Sequence, residues 1–544
     1  MLIRIDHREV EAEEGMTIMQ AAALLGISIP ALCYQKSIAH HPSCMVCMVK
    51  DLGSGRLLPA CEYPIQEGMK IQTHSREIQE ARREALELLL SDHAGDCEAP
   101  CRRSCPAFMN IPEMNRLIAS GKFNEALQLV REEIALPLVL GYICPAPCEK
   151  ACHRASIDGA VSICLLKRFT ADDISRLYSG LLPSIERSGK KVAIIGSGPA
   201  GLSAAFYLLR RGHLAVLYDQ HTEAGGMLRQ HITEDKLPRK ALDAEIKVIG
   251  LMGAEFRLNT LVTKEFFETV LLKEYDAVIV ASGKEEKQIT VDFHLERDEH
   301  GLKVSRATLE ARILSEGETD PGSPFPAPHS RFPDPGIFAC GNVIHKRQMA
   351  VRSVAQGKAA ALSADHYLKT GKPGADHQLF NSSFGRLAEA EQEEYLKESP
   401  AADRNEPTKG FMGGFTAAEA LKEASRCMNC DCRKPANCKL RILATEYQAR
   451  QKRFAGPGRK LITKSFQHEF VVYEAEKCIK CGNCVEITRS SGELKGLTYV
   501  GRGFDVRINV PLGGSLKEAL VKTGEKVIEA CPTGALSYKI RNHE

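Results

Sequence analysis

Lys190–Arg229 reads KKVAIIGSGPAGLSAAFYLLRRGHLAVLYDQHTEAGGMLR, and this stretch decides the fold. A buried β-run at 192–195 leads into Gly196-x-Gly198-x-x-Gly201, and an Ala- and Leu-rich helix is expected over 202–210. Strand, glycine turn and helix come in the order that a dinucleotide fold needs. Gly196 permits the tight turn, Gly198 lets the backbone approach a pyrophosphate, and Gly201 lets the helix pack on the strand. The phosphates would then sit at the helix N-terminus. A second strand over 215–218 ends at Asp219, where an acid would bind a ribose hydroxyl.

Two more stretches select the dinucleotide. Asp276–Gly283 reads DAVIVASG and Gly336–Gly357 reads GIFACGNVIHKRQMAVRSVAQG. With Gly225-Gly226-Met227-Leu228-Arg229, they resemble the FAD domain of the glutamate synthase small chain family. The resemblance implies FAD contacts at Gly226, Arg229 and the pair Gly341-Asn342, where the family carries Gly-Asp. It also implies a second, NADPH-binding fold inserted between the two stretches. Here the interval 284–335 contains no further glycine fingerprint and includes a Pro-rich piece, so a full NAD(P)H domain is expected to be missing.

The chain has 544 residues, 44% hydrophobic content and a net charge of +3, which is enough for several cores and gives no electrostatic case for nucleic acid. No apolar run is long enough to span a bilayer, and the N-terminus, LIRIDHREVEAEEG, lacks signal-peptide regions, so a cytoplasmic protein is expected. Of its 20 cysteines, all but Cys164 and Cys340 fall into groups at short intervals. In a reducing compartment such groups point to metal or iron–sulfur ligation rather than to disulfides.

Taken in order, residues 1–75 suggest a hairpin, a helix over 17–25 and a loop bearing Cys33, Cys44, Cys47 and Cys61. The sequence GMTIMQAAALLGISIPALC and this spacing resemble the N-terminal β-grasp [2Fe-2S] domain of the large iron–sulfur subunit of NADH dehydrogenase and related hydrogenases. Four thiolates are the ligand set that the resemblance implies; zinc is the alternative. Residues 76–187 open with an amphipathic helix, REIQEARREALELLL, which delivers His93, Cys97, Cys101 and Cys105; Cys144, Cys148 and Cys152 follow in ICPAPCEKAC. This α-helical part resembles the iron–sulfur domain before the flavin domain in the glutamate synthase small chain and in dihydropyrimidine dehydrogenase, which holds two [4Fe-4S] clusters. The resemblance suggests one set of His93, Cys97, Cys101 and Cys152, with Cys105, Cys144 and Cys148 in another. Lys167 stands where the family has an acid or amide ligand. Cys164 reads as a small buried thiol and is also a candidate for the missing ligand.

The flavin domain covers 188–370. Residues 371–466 read as a polar linker followed by a helix over 417–425 and a knot at 427–438, with Cys427, Cys430, Cys432 and Cys438 open to zinc or a [4Fe-4S] cluster. Residues 467–544 carry Cys478, Cys481 and Cys484 in CIKCGNC and Cys531 in CPTG, one complete ferredoxin-type [4Fe-4S] set. The intervening GLTYVGRGFDVRINVP again resembles the NADH dehydrogenase and hydrogenase subunits.

The expected fold class is thus multidomain α+β and α/β: a β-grasp ferredoxin, an α-helical iron–sulfur domain, a Rossmann-like FAD domain and a C-terminal ferredoxin-like domain. The expected cofactors are FAD, one [2Fe-2S] cluster and two to four [4Fe-4S] clusters. No acid–base or nucleophile constellation stands out, and no catalytic residue is assigned. An electron-transfer subunit of a larger oxidoreductase follows, with other subunits, such as an NADH-oxidising flavoprotein, or a ferredoxin as partners. A self-sufficient NAD(P)H-dependent reductase and a non-catalytic cluster scaffold are the alternatives.

Overall fold

The computed structural model describes residues 1–36, 38–39, 41–179, 186–283, 293, 295–313, 336–345, 349–375, 379–456 and 458–539. The chain forms two compact units, and they are interleaved in sequence. The first comprises Met1–Ala99, Gln378–Glu398 and Met428–Glu544; the second comprises Pro100–His377 and Ser399–Cys427. The five consecutive segments expected from sequence are therefore distributed over two bodies.

The first unit begins with a five-stranded sheet in the order Arg8–Glu11, Leu2–Ile5, Lys70–Gln72, Met48–Asp51, Leu57–Pro59. Leu2–Ile5 pairs in parallel with Lys70–Gln72 and the other pairs are antiparallel. Helix Ile18–Leu24 starts from a capping box in which Thr17 accepts from the Gln20 backbone and Gln20 returns the bond. Ile3, Ile5, Ile18, Ala22 and Val49 pack this helix and sheet into one core, which also takes in all four cysteines of the loop. The amphipathic helix forms over Arg76–Ser91, capped by Ser75.

The polar stretch read as a linker contains a helix, Glu389–Leu396. Its buried face carries Glu391 and Tyr395, so apolar periodicity could not reveal it. Glu391 is fully buried, accepts from the Ala388 and Ile462 amides at 2.8 and 2.9 Å, and pairs with Arg459. The rest of the unit is a ferredoxin-like fold: a three-stranded antiparallel sheet, Lys464–Ser465, Val471–Glu474 and Leu536–Tyr538, with the hairpin Thr498–Val500/Arg507–Asn509.

In the second unit all strands of the main sheet are parallel, in the order Gly336–Ala339, Ala277–Val280, Lys191–Ile195, Leu214–Tyr218, Glu255–Arg257. Strands buried on both sides, such as AVIV at 277–280, fit a sheet covered on both faces. Helix Pro199–Leu209 packs on the long helix Ala350–Thr370. The approach is close because Gly357 faces the Ala200 carbonyl and Ser203, where a Cβ would overlap the carbonyl.

The helical part of this unit contains Ile111–Ala119, Phe123–Glu133, Pro137–Ile143 and Ile163–Ala171, and helix Ala417–Ser425 packs against the first and last of these. Arg426, with its side chain fully buried, pairs with Glu423 at 2.9 Å and Asp158 at 3.0 Å. Arg154 pairs with Asp158 at 2.5 Å and donates to the Arg426 carbonyl. Replacing Arg426 by Leu leaves the fully buried Glu423 carboxylate without its cation, while Asp158 keeps Arg154, so the expected loss is about 3–5 kcal/mol. It should appear as early hydrogen exchange over 417–425; unchanged protection there would mean that the network contributes nothing.

Candidate functional site

The glycine turn forms one wall of a cavity at the C-terminal edge of the parallel sheet. Gly196, Gly198, Gly226, Gly341, Asn342 and Asp219 all line it. Gly196 has φ +104°, and a Cβ there would lie 2.5 Å from the Ala281 carbonyl oxygen. Gly198 differs: a Cβ would meet nothing within 4 Å, so the space in front of it is open. Gly201 does not line the cavity; a Cβ there would overlap the Gly196 carbonyl, which fits its expected role in helix–strand packing. The N-terminal turn of helix Pro199–Leu209 also faces the cavity through Pro199 and Ala200, and the start of a helix favours an anionic group such as a phosphate. Ser282 lines the same space, and its Oγ is buried without a hydrogen-bond partner among the described residues. These residues fit a dinucleotide.

Asp219 is already engaged on both oxygens. Oδ2 accepts from the Ser197 amide at 2.8 Å and hydroxyl at 2.6 Å, and Oδ1 accepts from the His221 amide at 3.0 Å and is 2.7 Å from His221 Nδ1. Burial pushes its carboxyl up, but the Ser197 and His221 bonds outweigh that and hold it below the ordinary range. Asp219 thus ties the glycine turn to the second strand. Arg229 lies outside the cavity wall and is held by the Ala224 carbonyl at 2.8 Å, Glu223 at 3.4 Å and Asp243.

The interval 284–335, where a full NAD(P)H domain is expected to be missing, is described only at 293 and 295–313; its remaining residues lie outside the described part. The described residues form isolated antiparallel bridges, Leu295↔Ile313, Arg297↔Leu302 and Val304↔Ala311, and one bridge back to the sheet, Glu310↔Phe338.

The cysteines gather at several places. Cys33, Cys44, Cys47 and Cys61 are all buried in the β-grasp core, with the sulfurs of Cys33 and Cys44 3.4 Å apart. Cys478, Cys481, Cys484 and Cys531 line one small cavity in the ferredoxin-like part, and the Lys480 amide donates to Cys478 Sγ at 3.3 Å. Such N–H···S bonds are among the features that set cluster potentials.

Cys97, expected on one cluster with His93, Cys101 and Cys152, is in contact with Cys432 of its own unit. The chain passes from one unit to the other between Ala99 and Pro100, so the even spacing of His93, Cys97, Cys101 and Cys105 spans two bodies. Cys97 lies with the later cysteines of the first unit: the Cys432 amide donates to the Cys97 carbonyl at 3.1 Å, and Cys432 and Cys438 are the thiols whose charge acts on Cys97 or is acted on by it. Ser382 donates to Cys97 Sγ from its amide at 3.4 Å. Among the described residues His93 Nδ1 is buried with no partner, and burial pushes the imidazole down to about 4, which leaves it neutral, as a metal ligand must be.

Of the expected knot 427–438, Cys427 ends a segment of the second unit, and Cys430, Cys432 and Cys438 belong to the first. In the second unit, helix Pro100–Ser104, which carries Cys101, packs on Pro147–Lys150, just before Cys152; Arg154 then holds the carbonyl of Arg426, next to Cys427. Cys105, Cys144 and Cys148 line a different cavity, and Cys164 lines it with them, beside Lys167. Cys340 is fully buried in the sheet, as expected for a packed thiol. Among the described residues, no three metal-binding side chains close on one single-ion point. The shared feature of these sites is a small buried space bordered by sulfur.

Comparison with known proteins agrees with these geometries. Residues 2–76 match a 2Fe-2S iron–sulfur cluster binding domain, and residues 67–177 match dihydropyrimidine dehydrogenase domain II, 4Fe-4S cluster. Residues 190–320 match the pyridine nucleotide-disulphide oxidoreductase family, and residues 468–537 match the ferredoxin-like domain of NADH-quinone oxidoreductase subunit 3. The chain is 39% identical over 207 residues to the NADP(+)-dependent formate dehydrogenase subunit beta of Moorella thermoacetica, covering 34% of this chain and 29% of that protein. It is 36% identical over 189 residues to the NADPH-Fe(3+) oxidoreductase subunit beta of Geobacter sulfurreducens, covering 34% and 28%. It is also 36% identical over 211 residues to the glutamate synthase [NADPH] small chain of Escherichia coli, covering 38% and 45%. The chain thus spans less than half the length of each of these curated relatives. Among the described residues no helix is long and apolar enough to cross a membrane. The chain therefore combines 2Fe-2S and 4Fe-4S ferredoxin-type domains with an FAD-binding pyridine nucleotide-disulphide oxidoreductase domain similar to that of the glutamate synthase small chain.

Proposed function

We propose that this chain is an FAD and iron–sulfur electron-transfer subunit of a cytoplasmic multisubunit oxidoreductase, relaying electrons between a two-electron partner and one-electron carriers. The observation that carries this reading is an open glycine-walled cavity on the same polypeptide as several cysteine-bordered sites. Flavin exchanges one or two electrons and iron–sulfur clusters pass one at a time. The chain's own residues supply the rest. Gly196 and Gly198 admit the pyrophosphate, Asp219 fixes the turn, and the buried sulfurs keep the clusters out of water.

The cluster assignments are proposals. Cys33, Cys44, Cys47 and Cys61 hold the [2Fe-2S] cluster, and Cys478, Cys481, Cys484 and Cys531 hold the ferredoxin [4Fe-4S] cluster. His93, Cys97, Cys432 and Cys438 form a third set, and Cys101, Cys152 and Cys427 contribute to a fourth. Partners are other oxidoreductase subunits, a nicotinamide-oxidising flavoprotein or a ferredoxin.

A self-sufficient NAD(P)H-dependent reductase is the second reading, favoured by the NADP(H)-dependent names of the relatives. The short antiparallel bridges at 295–313, in place of a second glycine fold, count against it. The retained flavin cavity counts against a mere cluster scaffold. Anaerobic analysis of the purified protein should give one non-covalent FAD and about eighteen iron atoms if five sites fill. Flavin-free protein, or zinc in place of most of the iron, would overturn the reading.

A further inference from the structure

The cavity that Cys105, Cys144 and Cys148 line has a fourth sulfur and a cation. Cys164 and Lys167 are three residues apart on helix Ile163–Ala171, so they share one helix face, and both border the cavity. Cys164 borders this cavity together with Cys144 and Cys148. The remaining lining is apolar, including Met109, Ile111, Ile134 and Ile163.

Lys167 is only 3% exposed. Its Nζ lies 4.0 Å from Cys164 Sγ, and among the described residues no carboxylate stands within ion-pair distance of it. A buried ammonium without an anion is costly, and such charges are found paired. Among the described residues the acidic groups that line this cavity are the thiols, and the buried Glu245 carboxylate acts on Lys167 only from beyond ion-pair distance. A thiolate-ligated cluster carries net negative charge and supplies the missing partner.

We propose that Cys164 is the fourth thiolate of a [4Fe-4S] cluster held by Cys105, Cys144 and Cys148, and that the Lys167 ammonium is its resident counter-charge, raising its reduction potential. This rests on the reading of the chain as a cluster-bearing electron carrier. One-electron reduction adds one negative charge to the cluster. A fixed cation beside it stabilises the reduced form more than the oxidised form, so the midpoint moves positive. Lys167 acts through the cluster and is a positioning residue, not a ligand.

The test is an EPR-monitored redox titration of the intact protein, reduced with dithionite in the presence of mediators, with iron analysis of each variant. Cys164→Ala should lose about four irons or leave a [3Fe-4S] species on oxidation, with the other clusters intact. Lys167→Met should keep its iron and shift one [4Fe-4S] midpoint to more negative potential, while Lys167→Arg stays near the parent. Cluster loss from Lys167→Met but not from Lys167→Arg would equally support the need for charge. Full iron and an unchanged spectrum in Cys164→Ala would overturn the ligand assignment. Unchanged midpoints in an iron-replete Lys167→Met protein would overturn the counter-charge. Absence of [4Fe-4S] signals from the parent protein would instead defeat the functional reading itself.

Discussion

The Gly198→Val protein is expected to retain its iron and to contain no flavin. A Cβ at Gly198 meets nothing of the protein within 4 Å, so the substitution disturbs little of the fold. The added isopropyl group instead occupies the space through which the backbone meets the pyrophosphate. Loss of FAD would then report on the ligand and not on unfolding. Gly201→Val provides the contrast, because its Cβ overlaps the Gly196 carbonyl and the whole strand–turn–helix unit should fail. Flavin absorbance beside the [2Fe-2S] EPR signal separates the cases. Stoichiometric FAD in the Gly198→Val protein would contradict the assignment of the cavity.

Cys531→Ala should remove the ferredoxin-type cluster, about four irons, while the [2Fe-2S] signal persists. Cys478, Cys481 and Cys484 come from one loop and the start of helix Asn483–Ser490, whereas Cys531 follows helix Gly524–Ala530. As a ligand, Cys531 would therefore join the two halves of this small fold. Its surroundings hold it in place: Lys434 Nζ donates to the Cys531 carbonyl at 2.9 Å, and Thr533 Oγ1 donates to the Lys477 carbonyl at 2.9 Å. Without the cluster, the core of Val471, Tyr473, Ile487, Ile508 and Val527 loses its bridge, and the domain should unfold at lower denaturant. Full iron in this variant, measured against the parent, would remove Cys531 from the ligand set.

The flavin fold was legible because its determinants are local. The strand, glycine turn and helix over 191–209 depend on the positive φ of Gly196 and on the space that only a glycine leaves at Gly201, and the observed elements lie within a few residues of those expected. The two ferredoxin-type sites were legible as cysteine spacings, and so was helix Ala417–Ser425. What sequence could not provide was the interleaving of the two units. Ala99 and Pro100 carry no linker composition, yet the chain passes from one unit to the other there. Helix Glu389–Leu396 was hidden because its buried face is a glutamate satisfied by Arg459 and two backbone amides. Cys164 stood alone in sequence, and only the packing of helix Ile163–Ala171 brings it to the other three sulfurs. The i, i+3 spacing of Cys164 and Lys167 in ICLLKRF was the available signal.

The most direct test of the electron-transfer account is stopped-flow reduction of the isolated chain, followed at the flavin band. With micromolar NADH or NADPH, flavin reduction should be slow and should not saturate. With a low-potential one-electron donor such as reduced methyl viologen, which can deliver through the clusters, it should be fast. Rapid, saturable flavin reduction of the lone chain by either nicotinamide would contradict the account and establish a self-sufficient reductase.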